Sequence, residues 1–154
     1  MCTRAWARTL SAYNYGGGHA SGTWEEETFQ SRTKVLVETS KYFYDRMQSS
    51  NLSLIGTSAG AYMAVNALEQ LETLGISVPK LVLLSPAAFP KEIENVPYGK
   101  SFTQIIRRKW DVAESPAFSL LEKYMRKGGS VFISFFEEDD PPIPRHIRGR
   151  KRGR

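Results

Sequence analysis

The sequence predicts an α/β fold, a mainly parallel β-sheet flanked by helices. Three observations predict it. Short, nearly continuous apolar runs recur at residues 52–55, 80–84 and 131–136. Strands buried on both faces of a parallel sheet read this way, so helices are expected on both sides. Between the first two runs lies a stretch, residues 59–74, that places Ala64, Leu68, Leu71 and Leu74 on one helical face. Strand, helix and strand together have the size of a βαβ unit. Turn residues then punctuate the junctions: Gly75 where a helix cap belongs, Pro79 before the second run, and Gly128-Gly129 before the third.

Taken in order, residues 10–15 show weak alternation and read as a strand. Gly16-Gly17-Gly18 and Gly22 follow. Thr23 with Glu26 three residues later fits a capping box. The helix it would open carries Phe29, Leu36, Phe43 and Met47 at near-helical spacing and runs to about Gln48. Ser49-Ser50-Asn51 breaks it. Residues 85–115 are less regular and hold three prolines, with one short helix suggested by Phe102, Ile105 and Ile106. Ser115-Pro116 is a helix opening, serine as cap and proline in the first turn. That helix reaches about Lys127. Tyr42, Phe43, Tyr44 and Trp110 read as core and lid packing.

Charge is distributed unevenly. Residues 145–154 carry six of the 21 basic residues and no acidic one, which leaves 15 basic against 16 acidic residues elsewhere and a net charge near −1. The body is close to neutral and the basicity belongs to a tail, read as disordered. A domain that grips nucleic acid carries positive charge on its own surface, so this balance argues against nucleic-acid binding. Cys2 is the lone cysteine, which excludes an intrachain disulfide and a cysteine-rich metal site; no metal or cofactor is expected. A reducing, cytoplasmic setting is the default. Residues 81–84 form the longest aliphatic run, far below the roughly 20 residues of a membrane span. Residues 1–11 lack the apolar core of a signal peptide.

Gly56-Thr57-Ser58-Ala59-Gly60 matches G-x-S-x-G. The pattern alone recurs by chance in about one chain in ten of this length. Its setting gives it weight, because it joins an apolar strand to a long amphipathic helix, the context the motif requires. A sharp strand-to-helix turn packs backbone on backbone, so side chains at Gly56 or Gly60 are expected to clash. The turn lifts the Ser58 hydroxyl clear of the sheet. The Ala59 N–H, at the helix start, can then help hold an oxyanion.

With these residues the sequence resembles the α/β-hydrolase fold family, over most of residues 9–144. Tyr15-Gly16-Gly17-Gly18-His19-Ala20-Ser21 is similar to the family's Gly-rich loop after a central strand. LSLIGTSAGAYMA is similar to its nucleophile elbow and helix, and KLVLLSPAA to its next strand. FFEEDDPPIP is similar to the strand end that carries the triad acid. The resemblance implies a partial hydrolase domain over residues 1–144, with residues 85–115 as a cap-like insertion and 145–154 as the tail. It implies Ser58 as nucleophile, Ala59 as oxyanion donor and Asp140 as acid, with Asp139 or Glu138 as substitutes. Asp140 reads equally as part of a solvated acidic turn.

Two features of the family pattern have no counterpart in the sequence. One is a strand and oxyanion loop ahead of residue 9, and the other is a strand and histidine after the acid. The two histidines present, His19 in the Gly-rich loop and His146 in the tail, do not sit at the family's base position. The chain therefore reads as the middle of a hydrolase. Three functions follow. The first is a serine hydrolase of a small ester or thioester. The second is a catalytically inactive remnant, with esterase activity very low and self-association through exposed sheet edges. The third is a basic-tailed binding module, which the neutral body disfavours.

Overall fold

The computed structural model describes residues 24–47, 52–108 and 110–135. The expected strand at 10–15, the Gly-rich loop, His19, Thr23, Glu138, Asp139, Asp140, His146 and the tail lie outside the described residues.

A short 3-10 turn, Trp24–Glu26, precedes α1 (Phe29–Met47). The helix opens at Thr28 rather than Thr23. The Thr28 N–H donates to Ser31 Oγ at 2.9 Å, and the Ser31 N–H donates to Thr28 Oγ1 at 3.0 Å. This reciprocal pair satisfies two of the amide donors that a helix start leaves over. The inward face also differs from the expected stripe. Phe29, Arg32, Thr33, Val37 and Ser40 are buried, whereas Met47 is exposed. Small polar side chains at Thr33 and Ser40 suit close approach to α2, the helix against which α1 packs. Tyr42, expected in the core, is 55% exposed and lies under the Arg46 guanidinium.

β1 (Ser53–Thr57), α2 (Ala59–Thr73) and β2 (Lys80–Leu84) form the expected βαβ unit. α3 (Lys100–Ile106) is the short helix of the irregular segment. α4 (Pro116–Arg126) starts at its proline, as expected, but Ser115 does not cap it. The Ser115 hydroxyl donates to the Phe89 carbonyl at 2.7 Å and so ties the segment to the helix start. β3 (Ser130–Ser134) ends the described chain.

The three strands among the described residues are parallel, in the order β1-β2-β3. Two successive right-handed crossovers that advance in one direction deliver both connecting helices to one face of a sheet. α2 packs against β1, and α4 against α2. Beneath them lies the core of Leu54, Leu81, Leu83, Ala64, Val65, Leu68, Leu71 and Leu121. The expectation of helices on both faces is therefore corrected. Among the described residues one face is covered, and the other bears the registered row Ile55, Val82 and Phe132. Ile55 is 60% exposed and Phe132 62%. The apolar runs concealed an alternation of the side chains, inward at Leu54 and Gly56 and outward at Ser53, Ile55 and Thr57.

No described helix is long and apolar enough to cross a membrane.

Candidate active site

Ser58 occupies the turn between the end of β1 and the start of α2. Its φ is 51° and ψ −121°, a backbone conformation that costs a residue with a side chain on the order of 1–3 kcal/mol. Three hydrogen bonds hold it there. Its N–H donates to the Leu84 carbonyl at 3.0 Å, and its carbonyl accepts from the Ala61 N–H at 3.0 Å and the Ala87 N–H at 3.3 Å.

A serine at a helix N-cap ordinarily folds its hydroxyl back onto an amide of the first turn, worth about 1 kcal/mol. Ser58 is the N-cap of α2 and makes no such bond. The residue is exposed. At this positive φ the cap is forgone and the residue stays exposed. The amides of Ala59 and Gly60 begin the helix, where the dipole is positive and the ladder supplies no acceptor.

Gly56 is required by packing. A Cβ there would stand 2.5 Å from Ala61 Cα and 2.6 Å from the Gly60 carbonyl oxygen, both backbone atoms that cannot step aside. Gly60 is different. A Cβ at Gly60 meets nothing within 4 Å, so the expected clash at the second motif glycine is corrected. Gly60 lies within the first turn of α2, where its Cα faces outward.

The segment after β2 is held against the start of α1 and α2 by a cluster of rings. Phe29 meets Tyr62 at 5.2 Å, Phe89 at 4.7 Å, Tyr98 at 5.5 Å and Phe102 at 5.6 Å between centroids. Backbone bonds Gln30 N–H to the Glu94 carbonyl and Tyr98 N–H to the Glu27 carbonyl, both 2.9 Å, close the same junction. The Tyr62 hydroxyl donates to Glu94 Oε1 at 3.0 Å. Burial, followed by the negative charge of Glu94, pushes this phenol far above its ordinary range. Tyr62 therefore works as a neutral donor that ties the segment to α2. The cap-like segment leaves Ser58 exposed among the described residues and serves as a clamp on the helix starts.

A second left-handed residue was not anticipated. Ser85, directly after β2, has φ 41°. The sequence motif LSPAA offers no signal for it, because serine has no general preference for positive φ.

A concavity of about 410 Å³ lies at the other end of the sheet, lined by Leu68, Ile76, Val78, Leu120 and Tyr124. Its charged rim is self-satisfied, with Lys123 on Glu69 and Lys127 on Glu72. Among the described residues no cluster of three or more His, Cys, Asp or Glu side chains is arranged to hold a metal. Of the expected site residues, Ser58 and Ala59 are brought together at one turn, and Asp140 lies outside the described residues. Compared with family models, curated proteins and solved structures, the chain matches none of them.

Proposed function

We propose that this chain is a serine hydrolase of the elbow type, acting on a small ester or thioester with Ser58 as the nucleophile. The observation that carries the reading is the combination at Ser58: positive φ, an exposed side chain and a forgone helix cap. Nothing in the packing of the sheet requires a serine there. In this reading the Ser58 oxygen attacks the carbonyl carbon as its proton passes to a base. The carbonyl oxygen takes up the displaced electron pair and is met by the Ala59 N–H at the positive end of α2. Collapse of the tetrahedral adduct expels the alcohol or thiol, which takes a proton, and water then releases the acid from the acyl-serine. Asp140 would orient the base. His19 and His146 are the two histidines available to serve as that base.

The second reading is an elbow that no longer turns over. It is favoured by the absence of any histidine among the described residues, so that none of them stands beside the Ser58 hydroxyl as a base. Hydrolysis of p-nitrophenyl acetate separates the two. The first reading predicts a burst of p-nitrophenol approaching one per chain, followed by slow turnover, both abolished by Ser58→Ala. Equal rates for the wild type and Ser58→Ala overturn it. His19→Ala and His146→Ala then identify which histidine takes the proton.

A further inference from the structure

An apolar slot of about 30 Å³ lies beside Ser58. Two of its walls are tied to that residue, since Ala61 and Ala87 both donate their N–H to the Ser58 carbonyl. Four alanines line the slot, Ala61, Ala87, Ala88 and Ala117, together with Phe118 and Ile133, and its surface is entirely apolar. Ala61 and Ala117 are buried, whereas Ala87, Ala88, Phe118 and Ile133 are half-buried. The slot therefore runs from the core toward the surface at the end of the sheet where Ser58 stands.

Unfilled space in a close-packed interior costs stability, and a larger side chain at one of the four alanines would reduce it. Water does not fill it, because an all-carbon surface offers no hydrogen-bond partner. Its volume is that of roughly two water-sized groups, close to the last two carbons of a short chain. Carbon is the filling such a surface accepts, and the slot ends at the backbone of the residue that would carry an acyl group.

From this we infer that the slot receives the end of the substrate's acyl chain and sets its length at about four carbons, a butyryl group. The first two carbons lead from the Ser58 oxygen to the mouth, and the last two fill the space between the alanines and Phe118. The inference rests on the reading of Ser58 as nucleophile and deepens it by naming the class of acyl group.

The test is the chain-length profile of the full chain on p-nitrophenyl acetate, butyrate and octanoate. In each case the acyl group passes from p-nitrophenolate to Ser58 and then to water. Burying two further carbons predicts a kcat/KM about tenfold higher for butyrate than for acetate, with octanoate below butyrate. Ala88→Val narrows the slot and is expected to abolish the preference for butyrate over acetate. Phe118→Ala lengthens it and is expected to make octanoate the best ester. Each ratio is taken within one protein sample, so a loss of folded protein cancels. A wild-type profile that is flat, or that peaks at octanoate, overturns the inference and leaves Ser58 standing if Ser58→Ala abolishes hydrolysis. So do unmoved ratios in either slot variant, and the alanines then serve only the approach of α2 to α4. If the wild type is inactive or Ser58→Ala hydrolyses equally, the nucleophile reading fails. Butyrate titrated into the protein and followed by amide chemical shifts then decides the slot. Shifts at Ala61, Ala87 and Ala88 that Ala88→Val removes support it, and absent shifts, or equal shifts with acetate, overturn it.

Discussion

At one end of the sheet the helices finish with glycine, and at the other the strands finish with serine, though both ends place a residue at positive φ. α2 stops at Gly75 with φ 73°, and α4 at Gly128 with φ 90°. Each closes with a pair of bonds back onto its last turn. Gly75 N–H reaches the Glu72 carbonyl and Ile76 N–H the Leu71 carbonyl. Gly128 N–H reaches the Met125 carbonyl and Gly129 N–H the Tyr124 carbonyl. This is the Schellman closure, and glycine takes it without steric penalty. β1 and β2 exit through Ser58 and Ser85, whose side chains make positive φ costly. The chain thus uses the relaxed solution where only the fold is at stake. It keeps strain where an exposed hydroxyl and the first amides of α2 converge.

The largest effect is expected where the strained end meets backbone. Gly56→Ala drives a Cβ into Ala61 and Gly60 and is expected to cost about 3 kcal/mol or more, read as a drop in the urea midpoint. Gly60→Ala, four residues further along and facing open space, is expected to be neutral or slightly stabilising, since alanine is the better helix former. Equal losses at both glycines would break the distinction between them.

At the relaxed end, Gly75→Ala and Gly128→Ala place a side chain at positive φ and are expected to cost about 1 kcal/mol each. The mirror experiment is Ser58→Gly, which relieves φ 51° and is expected to raise stability by about 0.5–1 kcal/mol. A destabilised Ser58→Gly would mean that the serine side chain serves the fold, contrary to the comparison.

A smaller, pH-dependent difference should mark both ends. Burial raises the Tyr62 and Tyr124 phenols above their ordinary value. The folded chain then binds more protons than the unfolded chain at high pH. Their contribution is fully present below about pH 10 and is lost as pH rises beyond it. Urea midpoints measured from neutral to alkaline pH should fall above that point. Tyr62→Phe should flatten the fall more than Tyr124→Phe, because Tyr62 also faces the Glu94 carboxylate while Tyr124 donates to the Val78 carbonyl. The smallest effect belongs to the exposed pair Lys127–Glu72, where Glu72→Gln is expected to leave the melting temperature unmoved.

Much of this architecture could be read before any coordinates. The βαβ unit was legible because an aliphatic run, a turn glycine and an alanine-rich amphipathic stretch all agree over residues 52–84. The place of Ser58 at the strand-to-helix turn was legible for the same reason. The one-sided sheet was not, since it depends on the shared direction of two crossovers rather than on any local pattern. The inward face of α1 was missed because Thr33 and Ser40 carry no apolar signal, and their burial follows from helix approach. Ser85 was missed because its positive φ is imposed from outside, by its own N–H bond to Ser134 and by the bonds of its neighbours Leu84 and Ala87 to Ser58. Asp140, the expected acid, lies beyond the described residues.

The central claim is that Ser58 is the reactive serine of this chain. Its most direct test is to expose the wild-type protein to excess fluorophosphonate and map the adduct by tandem mass spectrometry. The account predicts a single phosphonyl mass shift located on Ser58, absent from the Ser58→Ala protein. No adduct, or label spread over exposed serines at similar occupancy, would contradict it.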